Sequence, residues 1–183
     1  MEKYIDLSNS EHYKILLKLV KNIENERIDK ILDAGSGKTS LSALLKLFPD
    51  SNIDAIVFYN DFRTINSTKE TIISQRYILK EKDICKDDIT EKYDLVLAHL
   101  LLGEANKWGN NFNDLLLKLS NINSKYLIVY DLKEDTSIDY NYLEQTLDEK
   151  FTIVAKEEID KNEPQAFEGF IGKTYIAYLL KRK

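Results

Sequence analysis

The residues best suited to chemistry lie in the segment Asp33-Ala34-Gly35-Ser36-Gly37, which follows a short apolar run and precedes an amphipathic stretch. A strand, a glycine turn and a helix in this order present backbone N–H groups and a helix N-terminus to a ligand. The glycines let the backbone approach that ligand where a side chain would collide with it. The anionic Asp33 repels phosphate and suits a cationic or hydroxyl-bearing group. The segment therefore predicts a turn that binds a cationic or hydroxyl-bearing ligand.

The same segment also resembles the phosphate-binding P-loop pattern G-x-x-x-x-G-K-[S/T]. The residues from Gly35 to Thr39 supply the end of that pattern, but its leading glycine would fall at position 32, which is Leu32. Leu32 belongs to the predicted strand, so the loop is too short to wrap a phosphate, and Asp33 would face it. A P-loop-like nucleotide-binding protein is therefore a less favoured alternative, as is a glycine turn without a ligand.

Length and composition indicate a single cytoplasmic domain. The 183 residues suffice for a sizeable core, and we assign residues 1–28 to an N-terminal helical segment and residues 29–183 to the core. A net charge of −5 gives no overall attraction for DNA or for an anionic membrane. Cys85 is the single cysteine, so an internal disulfide is excluded and a reducing compartment is expected. No segment approaches the roughly 20 apolar residues of a membrane span.

The elements that must position these residues alternate between strands and helices, which indicates an α/β fold with a mostly parallel sheet. The apolar runs are nearly continuous, as in strands that are buried on both faces. The last two strands have no helix between them, so the final strand is expected to return antiparallel. The predicted strands cover residues 29–32, 53–59, 77–82, 93–99, 126–130, 151–155 and 174–180, with 77–82 near an edge.

These βα units, the closing hairpin and Asp33-x-Gly35-x-Gly37 together resemble the class I (Rossmann-like) S-adenosylmethionine (SAM)-dependent methyltransferase family. The resemblance covers about residues 29–183 and implies a seven-stranded sheet of order 3-2-1-4-5-7-6 with helices on both faces. It also implies SAM as the cofactor. A dinucleotide-binding Rossmann domain would carry a third glycine at position 40, which is Ser40.

The resemblance implies that the first motif holds the methionine part of SAM. Asp33 would accept hydrogen bonds near the ammonium group, directly or through water, while Gly35, Ser36 and Gly37 contribute backbone contacts. The family's third glycine is replaced by Thr39, which can cap the following helix.

The resemblance places an acid for the ribose hydroxyls at the end of the second strand, because a carboxylate accepts two hydrogen bonds. A gapless count from the first motif ends near Val57, inside the apolar run. The next polar residues are Asn60 and Asp61, of which we prefer Asp61. An ion pair between Asp61 and Arg63 on the surface is the alternative.

The resemblance also implies that the ends of the third and fourth strands border the cofactor. Asp83 would accept the exocyclic amine of adenine and Ile84 would pack on its ring; the alternative is an Asp that caps the turn at residues 86–88. His99 would border the adenosine and the transferred methyl. It is our candidate general base, because an unperturbed imidazole pKa of about 6.5 suits proton transfer near neutrality.

The methyl acceptor is expected to be a small molecule or RNA. His12, Tyr130 and Asp131 are weaker candidates for its pocket, and Trp108, Phe167 and Phe170 could clamp a planar group or serve as packing residues. A basic stripe beside the ends of strands four and five would favour RNA. The additions to the core are small, which favours a small acceptor or a site completed by a partner chain, such as a homodimer.

Two other features limit the chemistry. No acids and histidines have metal-ligand spacing, and Asp131, Glu134 and Asp135 are expected to form a solvated loop. A non-catalytic protein that keeps the SAM fold to bind a partner is the alternative from a different functional class.

Overall fold

A computed structural model describes residues 2–159 and 174–183 of the chain. Its sheet has seven strands in the order β3-β2-β1-β4-β5-β7-β6, which confirms the predicted order. The strands are β1 Lys30–Ala34, β2 Asn52–Val57, β3 Tyr77–Glu81, β4 Tyr93–His99, β5 Ser124–Leu132, β6 Phe151–Ile159 and β7 Tyr175–Arg182. The helices are α1 Glu11–Lys21, α2 Lys38–Leu47, α3 Phe62–Thr71, α4 Phe112–Asn121 and α5 Tyr140–Asp148, with a 3-10 helix at Ala105–Trp108.

The direction of each strand follows from its connection. Strands β1 to β5 pair in parallel, because helices cross over between most of them. Strand β7 runs antiparallel to both β5 and β6, as predicted. Strand β3 lies at one edge, also as predicted, and β6 lies at the other.

The core has two layers, one on each face of the sheet. Along β4, Leu95 and Leu97 pack into the cluster that contains residues of α1 and α2. Val96 and Ala98 alternate with them and pack into the cluster that contains residues of α4 and α5. This burial on both faces explains why the strand is apolar throughout.

Some strand boundaries differ from the sequence expectation. Strand β2 ends at Val57 rather than at residue 59, since Asp61 N already donates to Phe58 O in a turn. Strand β5 extends to Leu132, because β7 pairs with it along this length. The pairing with β7 thus sets a strand boundary beyond the polar Asp131, which the local sequence pattern does not reveal.

Helix α1 packs against β6, β7 and α2. It thereby covers part of the sheet close to its carboxyl edge and brings His12 into the site described below. None of the helices that the structure describes is long and apolar enough to cross a membrane.

Candidate functional site

A cavity of about 450 Å³ lies at the carboxyl ends of β1, β2, β3 and β4. Its walls come from the turn after β1, the first turn of α2, α3, the segments after β3 and β4, and α1. The strand order changes direction at β1 and β4, and open α/β sheets bind ligands at such a point. The volume is in the range of small-molecule sites.

The glycine turn after β1 forms one wall. Gly35 has a φ of +71°, in the left-handed region that favours glycine. Ser36 N donates to Ile56 O at 2.6 Å, which ties the turn to β2. The prediction that Thr39 caps the helix is wrong. Helix α2 begins at Lys38 with Gly37 as its N-cap, and the Ser40 hydroxyl accepts from Gly37 N at 3.1 Å.

Asp33 lies beneath this turn and does not line the cavity. Its carboxylate is fully buried, and Oδ2 accepts from the Ser36 and Ser40 hydroxyls at 2.6 and 2.8 Å. Oδ1 has no hydrogen-bond partner among the described residues. Burial raises the pKa of Asp33 to about 7, although the two hydroxyl groups oppose the shift. In this arrangement the carboxylate braces the turn through two serines. A contact of Asp33 with a ligand, directly or through water, stays a prediction.

The segment after β2 places Asp61 in the cavity wall and leaves Asn60 exposed and outside it. Asp61 is also the N-cap of α3, since its Oδ1 accepts from Thr64 N at 3.0 Å. Among the described residues Asp61 contacts Thr64 N and forms no ion pair with Arg63, so the surface-pair alternative is not formed. One oxygen of Asp61 therefore caps the helix, and a contact of Asp61 with a ligand stays a prediction.

The segment after β3 places Asp83 and Ile84 together in the wall, both buried. Asp83 Oδ1 accepts from Cys85 N at 3.0 Å, and Oδ2 lies 2.9 Å from Lys86 Nζ. Burial acts to raise the pKa of Asp83, but the Lys86 ammonium and the Cys85 N–H outweigh it and hold the pKa below its ordinary value. The turn-capping alternative thus describes part of its contacts, and adenine binding stays a prediction.

His99 at the end of β4 lines the cavity and is buried. Burial is the main cause that lowers its pKa to about 3, and the nearby His12 adds to this effect. The unperturbed pKa that made His99 a candidate base does not hold in this environment. A neutral imidazole with so low a pKa is a weak proton acceptor at neutral pH.

Asp131, a weaker candidate for the acceptor pocket, does not line the cavity. Instead it holds the loop after β4. Asp131 Oδ2 accepts from Leu102 N and Gly103 N at 2.8 and 3.3 Å, and Oδ1 accepts from Leu132 N at 2.9 Å. Leu100 has a φ of +54°, which is rare for a branched side chain. The two loop N–H groups that donate to this buried carboxylate explain how the loop is kept in this shape.

His12 lies in the cavity wall, although the sequence ranked it low. Its Nδ1 is hydrogen-bonded to the Tyr130 hydroxyl, and its ring centroid is 6.1 Å from that of His99. The amphipathic pattern of α1 fixes which face is buried but not which strand ends lie beneath it. Other wall residues that the sequence analysis did not select are Thr64, Ser67, Lys82, Glu104 and Asn110.

The described side chains at the ends of β4 and β5 form no basic stripe. The segment after β5 carries Glu134, Asp135 and Asp139 beside Lys133, and Lys133 pairs with Glu158 at 2.7 Å. Phe167, Phe170 and the side chain of Trp108 lie outside the described part of the chain. Within that part, no group of three or more residues could hold a metal ion.

Comparison with known proteins identifies the fold. No family model and no curated protein matches the chain. The N-methyltransferase NodS from Bradyrhizobium japonicum, in complex with S-adenosyl-L-homocysteine (SAH), is 14% identical with a TM-score of 0.67 over 96% of this chain and 90% of that chain. An rRNA methylase from Escherichia coli is 16% identical, with a TM-score of 0.62 over 93% of this chain and 64% of that chain.

A third solved structure, a SAM-dependent methyltransferase from Clostridium acetobutylicum, is 15% identical with a TM-score of 0.64. The match covers 97% of this chain and 92% of that chain. At such low identities the likeness establishes the fold alone. The chain has the Rossmann-like fold of class I methyltransferases.

Proposed function

We propose that the protein is a SAM-dependent methyltransferase that transfers a methyl group from SAM to an acceptor. The observation that carries the proposal is convergence at one cavity. Gly35, Asp61, Asp83 and His99 lie at the carboxyl ends of four different strands and line the same space. Any residues at those ends would meet at this edge, so the support lies in their types: a glycine turn, two carboxylates and an apolar neighbour stand where the proposed cofactor needs them.

The residues fit the cofactor chemically. SAM carries positive charge, hydroxyl groups and a flat apolar ring, and this cavity offers carboxylates together with the apolar side chain of Ile84. The buried Oδ1 of Asp33 lacks a donor among the described residues, and a donor near the glycine turn would satisfy it. Gly35, Ser36 and Gly37 would hold the methionine part, Asp61 or, second, Asn60 the ribose, and Asp83 with Ile84 the adenine.

The chemistry that this site must supply is limited, because the bound cofactor carries an electrophilic methyl group. The wall residues would align a nucleophile with that methyl and exclude water, and proximity of this kind can supply most of the rate. His99 would border the transferred methyl as a neutral side chain. A nucleophile that already carries a free lone pair suits this site better than one that must first lose a proton.

A small molecule is the acceptor class that we favour, with RNA second. The acidic segment after β5 supports this order, since RNA binding relies on contacts between basic residues and phosphates. The exposed Lys38 and the half-buried Thr39 line the cavity, so a nucleotide ligand is the appropriate control.

Calorimetric titration with SAM and SAH, with magnesium-ATP as the control ligand, tests the proposal. We expect micromolar SAM binding that Asp83→Ala weakens by at least tenfold and Asp33→Ala also weakens. Asp88→Ala is the matched control, because Asp88 lies in the same segment after β3 but its side chain is 88% exposed. Binding of ATP instead of SAM would establish the P-loop alternative, and binding of neither would favour a partner-binding protein.

A further inference from the structure

Two cations stand at the end of the cavity that lies between α2 and α3. Lys38 begins α2 and Arg63 belongs to the first turn of α3, and both exposed side chains line the cavity. A Cβ atom built on Gly37 would lie 3.9 Å from Thr64 Cγ2, so the starts of the two helices face each other. Within the described part of the chain neither cation forms an ion pair. This end of the cavity therefore offers two positive charges without a paired carboxylate.

Both helices add groups that suit an anion. The N-cap of α2 is Gly37, and the first turn of this helix holds no acidic side chain. A helix N-terminus favours negative charge, because free backbone N–H groups and the positive end of the helix dipole meet there. Thr68 of α3 also lines the cavity, and its buried Oγ1 has no hydrogen-bond partner among the described residues. An oxygen atom of a ligand would satisfy this hydroxyl.

The end of β2 indicates which anion fits between these helices. Strand β2 ends at Val57, a buried apolar residue where the count from the first motif placed the ribose acid. Asp61, the acid that we assign to the ribose, is the N-cap of α3 and precedes Arg63 in the same turn. A ribose with one hydroxyl at Asp61 would have the neighbouring hydroxyl on the side of the two cations. In dinucleotide-binding sheets an arginine near this strand end accommodates a phosphate on the ribose.

We infer that the α2–α3 end of the cavity binds a phosphate group carried on the ribose of an adenosine nucleotide. Arg63 and Lys38 supply the charge, the N-terminus of α2 supplies N–H donors, and Thr68 supplies a hydroxyl. The ligand class is adenosine phosphorylated at its 2′ or 3′ hydroxyl, and such a nucleotide competes with SAM for the cavity. The inference goes beyond the proposed function and rests on it only for the place of the adenosine.

Calorimetric titration of the full-length protein with 2′-AMP, 3′-AMP and 5′-AMP tests the inference. The three isomers share base, sugar and number of phosphates, so a difference in affinity reports where the phosphate is held. We expect 2′-AMP or 3′-AMP to bind about tenfold more tightly than 5′-AMP, which corresponds to one additional hydrogen bond to a charged group. The isomer that binds more tightly should also displace SAH.

Two substitutions remove the cations one at a time. Arg63→Gln and Lys38→Gln should each reduce the preference over 5′-AMP several-fold, because a neutral amide binds phosphate less strongly than a cation does. Lys69→Gln is the matched control, since Lys69 lies on the same helix but pairs with Glu81 at 3.1 Å outside the cavity. It should leave the preference unchanged. If a variant fails to fold, the preference of the wild type among the isomers still decides.

The test separates this inference from the proposed function. Equal affinities of the three isomers, tighter binding of 5′-AMP, failure of all three to bind, or a preference that survives both substitutions would each overturn the inference. Binding of SAH in those cases leaves the proposed function standing. Absence of SAH binding together with the expected preference for 2′-AMP or 3′-AMP would overturn the proposed function and support the inference.

Discussion

A Cβ atom built on Gly35 would lie 2.4 Å from Leu101 Cδ1, closer than real Cβ contacts allow. The turn after β1 thus packs directly against the loop after β4, and both residues line the cavity. Gly35 also has a φ of +71°, which favours glycine, and a larger residue here must in addition displace the end of the Leu101 side chain.

Gly35→Ala should destabilise the protein by about 2–4 kcal/mol, since strain at positive φ adds to overpacking against Leu101. Gly109→Ala is the matched control, because Gly109 has a φ of +74° but nothing lies within 4 Å of its added Cβ. It should cost only about 1 kcal/mol. Urea denaturation measures both values.

The double variant Gly35→Ala/Leu101→Ala isolates the collision. The double variant should recover the part of the lost stability that comes from the collision. Its loss should therefore be smaller than the sum of the losses of the two single variants. Equal losses for the alanines at positions 35 and 109 would show that the contact with Leu101 relaxes freely and adds nothing.

Asp33→Asn should change how stability depends on pH. The pKa of Asp33 is raised to about 7 in the folded state, above its value of about 3.9 when unfolded. Its stabilising contribution is therefore complete below about pH 4 and is lost as the pH rises through 7. The stability of the wild type relative to the variant should fall by as much as about 4 kcal/mol over this range.

Urea denaturation of both proteins at pH 5 and pH 8 measures the part of this difference that lies above pH 5, about 3 kcal/mol. Other titrating groups, such as Asp131, are present in both proteins and largely cancel. Parallel pH profiles would mean that Asp33 is ionised in the folded protein throughout, with a donor that the structure does not show.

Cys85 provides a chemical probe of the proposed site. It is the only cysteine, it lines the cavity, and burial is the main cause that raises its pKa to about 11. Alkylation by iodoacetamide at pH 8 should be slow, because the thiolate is the reactive form. Bound SAH should slow it several-fold further, whereas magnesium-ATP should not. An unchanged rate in the presence of SAH bound by calorimetry would place SAH away from this wall.

Arg76 should be more important for stability than its ion pair suggests. Its Nη1 and Nη2 donate to Phe48 O and Leu45 O at 3.0 and 2.9 Å, which satisfies carbonyls at the end of α2. The guanidinium also contacts Glu2 at 2.9 Å. Arg76→Lys should cost about 1–3 kcal/mol, because an ammonium does not reproduce this fork.

Glu2→Gln removes only the exposed ion pair and is the control, with an expected loss below about 1 kcal/mol. Thermal denaturation compares the two variants. Equal losses would show that the carbonyl contacts at the end of α2 contribute little.

Parts of the fold could be predicted because local patterns carry them. Apolar runs that alternate with amphipathic stretches identify the strands, and the missing crossover before β7 fixes its direction. The order of the strands came from the family resemblance, since no local signal says which neighbour a strand takes. Boundaries such as the extension of β5 over Asp131 depend on the partner strand.

The meeting of Gly35, Asp61 and Asp83 at one cavity could be anticipated, since parallel strands end at a common edge. The environments of the site residues could not be anticipated. The pKa of His99 depends on burial beneath a distant part of the chain, and Asp33 depends on two serines that the motif does not specify. Which residues bind SAM stays a prediction.

The insertion of β7 between β5 and β6 has a consequence for the order of assembly. Tyr178 pairs with Val129 on one side and with Lys156 on the other, so β6 has no neighbour in the sheet until β7 has been synthesised. These pairings are non-local, which makes them late and slow steps of folding. Tyr175, at the start of β7, packs against the His12 ring of α1 at a centroid distance of 4.7 Å, so this contact of the N-terminal helix also waits for the last strand.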